Sequence, residues 1–350
     1  MKVGIFTFHR AHNYGAMLQA YALQTACEKI GTKAYIVDYA PKYIDNQYKY
    51  FKLKKALKAN VLSFYNLFGN IKKQKGFENF KTNQFNIIDF KTKEKFDALL
   101  YGSDQIWNPN INNGFDKNYF GFNGINTKRQ VAYAASIGKS EFSDEEIKQF
   151  SNLAKNMDMI SVREETAKDV LQPYYEKKID VVLDPTLLIS SDEWDKIAEN
   201  PKFKMPYILV YQVNIFPQTM QVAEELSKRT NIPIVEICYN KTKLKYNHKV
   251  LSDVSPREFV GLFKNAEYVV TSSFHGTAFS INYHRNFYTI SHKSYGSRMN
   301  DLLFKLGISD RIVEVLPNDI EKIDYTDVDK RLQKEKGHSL EFLEKAIMEK

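Results

Sequence analysis

His275 is followed at once by Gly276 and Thr277, between the apolar run Tyr268–Val270 and a stretch that reads as a short apolar helix. An imidazole titrates near neutrality, so it can give a proton to a reacting group or take one from it. A glycine and a threonine opening a helix would offer backbone N–H groups at its positive end, where an anion is held. Ser273 stands two residues before the histidine, and Lys293 and Arg298 follow as cations for the same anion. The plainer account of a lone histidine beside a glycine is a packed residue.

Three other stretches place reactive groups directly after apolar runs. Gly102-Ser103-Asp104-Gln105 follows FDALLY with a carboxylate and an amide. Asp104 there would orient a sugar hydroxyl or act as a base, or else cap a helix. Arg163 follows ISV and offers a rigid fork for carboxylate or phosphate, with a surface ion pair as the bland alternative. Asn13, Tyr14 and Gly15 make a turn after the first apolar run, where a glycine lets backbone amides approach a ligand or simply starts a helix. Asp184, placed before Pro185, reads as a structural turn.

Several chemistries find no support. There is no GxGxxG, P-loop, GxSxG or HExxH pattern, and no Cys/His spacing suited to zinc. Cys27 and Cys238 are expected to be free thiols in a reducing compartment. No apolar run approaches the roughly 18 residues that span a bilayer. KVGIFTF at the start reads as a strand rather than a signal peptide, so a cytoplasmic protein is expected.

These groups need strands to carry them. KVGIFTF, KAYIVDYA, FDALLYG, QVAYAAS, MISVRE and DVVLDP are predicted strands, each ending in polar or small residues, as strands do when their carboxyl ends hold a ligand. GAMLQAYALQTACEKI, with Leu18, Ala22, Ala26 and Ile30 in helical register, is the first helix, and Gly31 ends it. The alternation restarts after ENPKFKMP with YILVYQV, IPIVEICY, EYVVTSS and NFYTIS, and the tail from Lys330 reads as a charged helix. The expected fold is α/β, with two Rossmann-like domains facing a central cleft. Residues 1–203 form the first and 204–350 the second.

The net charge of +8 is concentrated. Residues 42–95 hold thirteen lysines, no arginine and four acids, a net +9, so the rest of the chain is close to neutral. Aromatics interleave with these lysines. The segment reads either as a solvated helical insertion or as a surface for anionic lipid, carried by Lys52, Lys54, Lys55 and Lys58 among others. No nucleic-acid fold motif accompanies the charge, so nucleic acid is not an expected partner.

Taken in order, NYGAMLQAYAL, GSDQIWN, AYAASIG, SVRE, LDPTLL, SFHGTAFSI and SRMNDLL resemble the polysaccharide pyruvyl transferase family, over about residues 1–307. The resemblance implies a GT-B-like pair of Rossmann-type domains with the active site between them. It also implies transfer of a pyruvyl group from phosphoenolpyruvate to sugar hydroxyls, usually as a cyclic ketal, with no metal or other cofactor. By position, His275 matches the family's histidine, as acid/base or phosphate contact, and Arg163 matches the arginine of SVR, as carboxylate or phosphate clamp. Asp104 and Asn13 fall on the acceptor side, with Tyr14, Gly15, Ser103 and Gln105 beside them. Ketal-forming members often carry an arginine two residues before the histidine, and here that position is Ser273. The expected acceptor is a polyprenyl-linked precursor of a surface polysaccharide, met at the inner membrane face. The alternatives are a GT-B glycosyltransferase using a nucleotide sugar and a non-catalytic glycan-binding scaffold.

Overall fold

The computed structural model describes residues 1–41, 43, 61–139, 141–213, 215–239, 241, 247–291 and 296–348. Its first sheet has seven strands: β1 (Lys2–Phe6), β2 (Lys33–Asp38), β3 (Ile87–Asp89), β4 (Ala98–Tyr101), β5 (Gln130–Ala135), β6 (Met159–Val162) and β7 (Ile179–Val181). They lie in the order β3-β2-β1-β4-β5-β6-β7, and every pairing is parallel. The inner strands are buried on both faces, which is why ALLY and QVAYAA read as continuous rather than alternating apolar runs. Six of the strands are the six predicted. The extra one, β3, is three residues ending in Asp89 and lies inside the lysine-rich stretch, too short to show a period.

The second sheet has five parallel strands: β8 (Ile208–Tyr211), β9 (Ile234–Ile237), β10 (Lys249–Leu251), β11 (Tyr268–Thr271) and β12 (Asn286–Thr289). Their order is β10-β9-β8-β11-β12. Here β10 is the strand the sequence did not reveal, again only three residues long. Both sheets build outward in one direction and then return to the far side of their first strand. That order makes each a Rossmann-type sheet, with a crevice at the carboxyl ends between β1 and β4 in one and between β8 and β11 in the other.

The chain divides into two compact units. One is Met1–Tyr48, Gln84–Ile189 and Lys330–Lys350, and the other is Lys49–Asn83 and Ser190–Asp329. This differs from a cut at 203/204 in three respects. The boundary falls earlier, the lysine-rich insertion contributes to the second unit, and the terminal helix contributes to the first. The helix Val61–Gln84 shows why. Asn66 pairs its amide with both backbone groups of Lys241 at 2.9 Å, Lys72 meets Asp253 at 2.6 Å, and Lys73 Nζ donates to the Tyr239 carbonyl at 2.7 Å. Lys73 is wholly buried, so this part of the segment is not a helix solvated all round. Lys52, Lys54, Lys55 and Lys58 lie outside the described residues.

Aromatic residues dominate both cores. In the first unit Trp107 stacks on Phe120 with centroids 4.8 Å apart and meets Phe150 edge-on. In the second, Phe259, Phe263, Phe279 and Tyr211 form one ring cluster. The helix Tyr14–Lys29 is buried almost all round rather than along a stripe, as its run of alanines permits. Cys27 is buried, Cys238 half-buried, and both are free thiols.

Candidate active site

In the second unit, β11 ends at Thr271 and the helix Phe274–Asn282 begins three residues on. Ser273 is its N-cap, its hydroxyl accepting from the Gly276 amide at 3.4 Å. Thr271 fixes the turn from below: its hydroxyl donates to the Tyr211 carbonyl at 2.5 Å and accepts from the Ser273 amide at 3.1 Å. Gly276 is required at its place because a Cβ there would collide with the Thr271 hydroxyl. His275 therefore sits in the first turn of a helix that starts at the crevice between β8 and β11. Ser273 has a local reason to be serine, since an arginine could not make the cap.

Thr277 does not reach outward. Its amide donates to the Ser273 carbonyl, and its hydroxyl to that carbonyl and to Thr289. The Gly276 and Thr277 amides, expected to hold an anion directly, are thus used inside the turn. The Thr277 hydroxyl lies 3.6 Å from the Met299 sulfur, which brings up the helix Ser297–Leu306 and, on it, half-buried Arg298. Lys293 lies outside the described residues.

The first unit builds a denser edge. Gly102 at the end of β4 has φ +128°, and a side chain there would strike the Tyr133 carbonyl, so the chain passes close under β5. Ser103 is completely buried, and its hydroxyl donates towards Ala134 O and Asp184 Oδ2. Asp104 follows with φ +72°, a strained left-handed position for a residue with a side chain. Its carbonyl accepts from Ser136 N at 3.0 Å, and its carboxylate accepts from the Gln105 amide at 2.8 Å while keeping partial exposure. Gln105 is held in turn by the Asn108 amide at 2.6 Å.

Arg163 departs from its expected role. Its side chain is 1% exposed; Nη1 lies 2.6 Å from Asp184 Oδ2, and Nη2 lies 3.7 Å from Asp104 Oδ1. Burial alone would favour losing its proton, but the charges of Asp184, Asp104 and Glu164 outweigh burial and raise its pKa. A guanidinium so enclosed braces carboxylates instead of opening a clamp to substrate. Asp184 also caps its own turn, accepting from the Thr186 amide and hydroxyl. Ser103, likewise enclosed, is a bracing residue rather than a substrate contact.

Asn13 caps the helix Tyr14–Lys29 by accepting from Ala16 N at 3.3 Å, while Tyr14 and Gly15 are buried in its first turn. The helix-start reading accounts for all three. The stretch FHRAH just before them carries groups that the sequence reading passed over. His9 Nδ1 lies 3.1 Å from Thr7 O, and Nε2 lies 2.8 Å from Asp38 Oδ1. Arg10 grips the same Asp38 with two hydrogen bonds, at 2.7 and 2.5 Å. The Asp38 pKa falls well below the usual carboxylate range, through the His9 hydrogen bond first, against burial, with Arg10 adding to it. Glu164, buried and accepting from the Ser136 hydroxyl at 2.8 Å, was also missed. A charged residue following directly on an apolar strand was the available signal for His9, Arg10 and Glu164.

Residues 13–294 match the family described as polysaccharide pyruvyl transferase. No curated protein matches the chain. Among solved structures, the chain is similar to a Staphylococcus aureus MnaA–UDP co-structure at 11% identity, covering 97% of this chain and 90% of that one, with a TM-score of 0.49. It is similar to the UDP-GlcNAc 2-epimerase of Methanocaldococcus jannaschii in complex with UDP-GlcNAc and UDP, at 15% identity over 95% and 99% of the two chains, with a TM-score of 0.48. For the Escherichia coli heptosyltransferase WaaC with ADP the values are 11% identity, 96% and 100% coverage, and a TM-score of 0.44.

Proposed function

Since the chain belongs to the polysaccharide pyruvyl transferase family and is a transferase, we propose that it moves a pyruvyl group from phosphoenolpyruvate to hydroxyls of a sugar in a surface-polysaccharide precursor. The observation that carries this reading is His275 in the first turn of the helix that leaves β11 at the crevice of the second sheet.

The chemistry assigns work to each edge. Proton transfer to the methylene carbon of phosphoenolpyruvate develops oxocarbenium character at the neighbouring carbon. A sugar oxygen bonds to that carbon, and its hydroxyl proton goes to a base. The carbon–oxygen bond to phosphate then breaks, phosphate leaving with the electron pair, and a second hydroxyl closes the ketal as its proton is lost. His275 is the acid for the first step or the contact that carries phosphate away. With the Gly276 and Thr277 amides occupied, the positive end of the helix and Arg298 supply the field for the donor's charges. Asp104 is the carboxylate for the hydroxyl, with Arg163 and Asp184 holding its loop.

No helix among the described residues is long and apolar enough to cross a membrane. A polyprenyl-linked acceptor, met at an anionic inner membrane face in the cytoplasm, is supported by the +9 charge of residues 42–95 alone.

The test is thermal stability with phosphoenolpyruvate, inorganic phosphate and UDP, for wild type and His275→Ala, together with phosphate release in the presence of sugar acceptors. A ligand at about a hundred times its Kd adds roughly 2.7 kcal/mol. Stabilisation by phosphoenolpyruvate beyond that by phosphate, weakened in His275→Ala, is expected. A response to UDP with none to phosphoenolpyruvate would redirect the assignment to glycosyl transfer from a nucleotide sugar.

A further inference from the structure

Three buried groups close a hydrogen-bonded ring at the crevice of the first sheet. Gln19 Nε2 donates to the Thr7 hydroxyl at 2.7 Å, the Thr7 hydroxyl donates to the Ser103 carbonyl at 3.3 Å, and the Ser103 amide donates to Gln19 Oε1 at 3.1 Å. Gln19 and Ser103 are completely buried and Thr7 nearly so. The direction is fixed by the two backbone groups. An N–H only donates and a carbonyl only accepts, so the Thr7 oxygen must receive and the glutamine amide has one orientation. Thr7 follows β1, Ser103 follows β4, and Gln19 belongs to the helix Tyr14–Lys29, which joins β1 to β2. Both peptide groups of Ser103 are therefore held, and the next residue is Asp104, whose own carbonyl is held by Ser136 N.

We propose that Gln19 is the positioning residue for Asp104, acting through the Ser103 peptide. The proposal rests on the reading of Asp104 as the carboxylate that receives the hydroxyl proton. Asp104 occupies a left-handed backbone position that few residues with side chains adopt, so its neighbours must impose it. The side chain required is one flat group that offers a donor and an acceptor about two ångströms apart and needs no charge. Glutamate lacks the donor and would bury a carboxylate against a carbonyl-facing hydroxyl. Leucine leaves the Ser103 amide without an acceptor and removes the donor to the Thr7 hydroxyl.

The experiment compares the full chain with Gln19→Leu, Thr7→Val and Thr7→Ser by melting temperature, by kcat and KM for phosphate release from phosphoenolpyruvate, and by hydrogen exchange of residues 101–107. Misplacing a reacting group by about 1 Å can cost on the order of 100-fold. The expected result is a loss of that order in kcat for Thr7→Val with KM for phosphoenolpyruvate unchanged, since His275 lies in the other unit. Thr7→Ser, which keeps the hydroxyl, should recover it. Thr7→Val carries the test should Gln19→Leu not fold. Wild-type kcat in a folded Thr7→Val, or a Thr7→Ser as slow as Thr7→Val, overturns the proposal. If wild type releases no phosphate with any acceptor, the pyruvyl transfer reading fails and hydrogen exchange decides the ring by itself. Faster exchange at 101–107 in Thr7→Val but not in Thr7→Ser supports it, and unchanged exchange overturns it.

Discussion

Arg163 and Asp184 form an ion pair at 2.6 Å, with 1% and 0% of their side chains exposed, twenty-one residues apart in sequence but on adjacent strand ends. Such a pair is a fixed part of the first sheet's edge. Removing one member of a buried pair typically costs about 3–5 kcal/mol, because the other charge is left behind. Arg163→Met should lose stability of that order in urea unfolding. Arg163→Met with Asp184→Leu should lose less than the sum of the two single changes. Additive losses, or a single loss under about 1 kcal/mol, would mean that the pair is not the brace described here.

Lys73 should record its burial in the pH dependence of stability. Burial lowers its pKa from 10.5 to about 8. Between those values the unfolded chain holds a proton that the folded chain has released, so stability rises with pH across the window and is lowest below pH 8. Lys73→Met should therefore gain most relative to wild type below pH 8, and the gain should shrink as pH approaches 10.5. Denaturant titrations at pH 7 and pH 10 check this, and a gain independent of pH would count against a depressed lysine.

Asp38 gives the opposite limb. Its pKa lies below the ordinary 3.8, chiefly through the His9 hydrogen bond. The stability it contributes is full above about pH 4 and lost as pH falls through the lowered value. The stability gap between wild type and Asp38→Asn should be constant from pH 5 to 7 and close on acidification. A gap that does not narrow between pH 5 and pH 2 would show that the pairing of this carboxylate with His9 and Arg10 matters little.

Two glycines in long helices should answer oppositely to alanine. Gly337, in the helix Tyr325–Met348, has nothing within 4 Å of an added Cβ, so Gly337→Ala should stabilise by about 0.5–1 kcal/mol. At Gly76 the same Cβ would come within 2.7 Å of Ser255 Cβ and push on the cap of the helix Pro256–Asn265. Gly76→Ala should cost about 1–3 kcal/mol despite the better helix propensity. Melting curves of the two variants decide it, and equal gains would show that the Val61–Gln84 helix is not seated against Ser255.

What could be read from the chain followed from burial on two faces. Parallel strands such as ALLY and YVVT announce themselves as unbroken apolar runs, whereas β3 and β10, three residues each with a charge at one end, have no period to read. His275 and Asp104 were visible because each comes within four residues of the end of such a run. Their surroundings were not. The Arg163–Asp184 pair depends on the β6–β7 register, and the Gln19 ring joins three distant stretches. Lys73 could not be told from the other lysines of its segment by composition, because only the seam with Tyr239 distinguishes it. Ser273 looked like a lost arginine until the helix start showed it as a cap.

On the ribosome, the helix Val61–Gln84 emerges before any strand of the sheet whose unit it joins. The partners of its Asn66, Lys72 and Lys73 do not exist until the residues after Ser190 are made. The first unit closes later still, since the Leu183 amide donates to the hydroxyl of Ser339 in the last helix. Nascent chains released at any intermediate length thus carry an unfinished unit, and neither unit can be cut from the gene as one uninterrupted fragment.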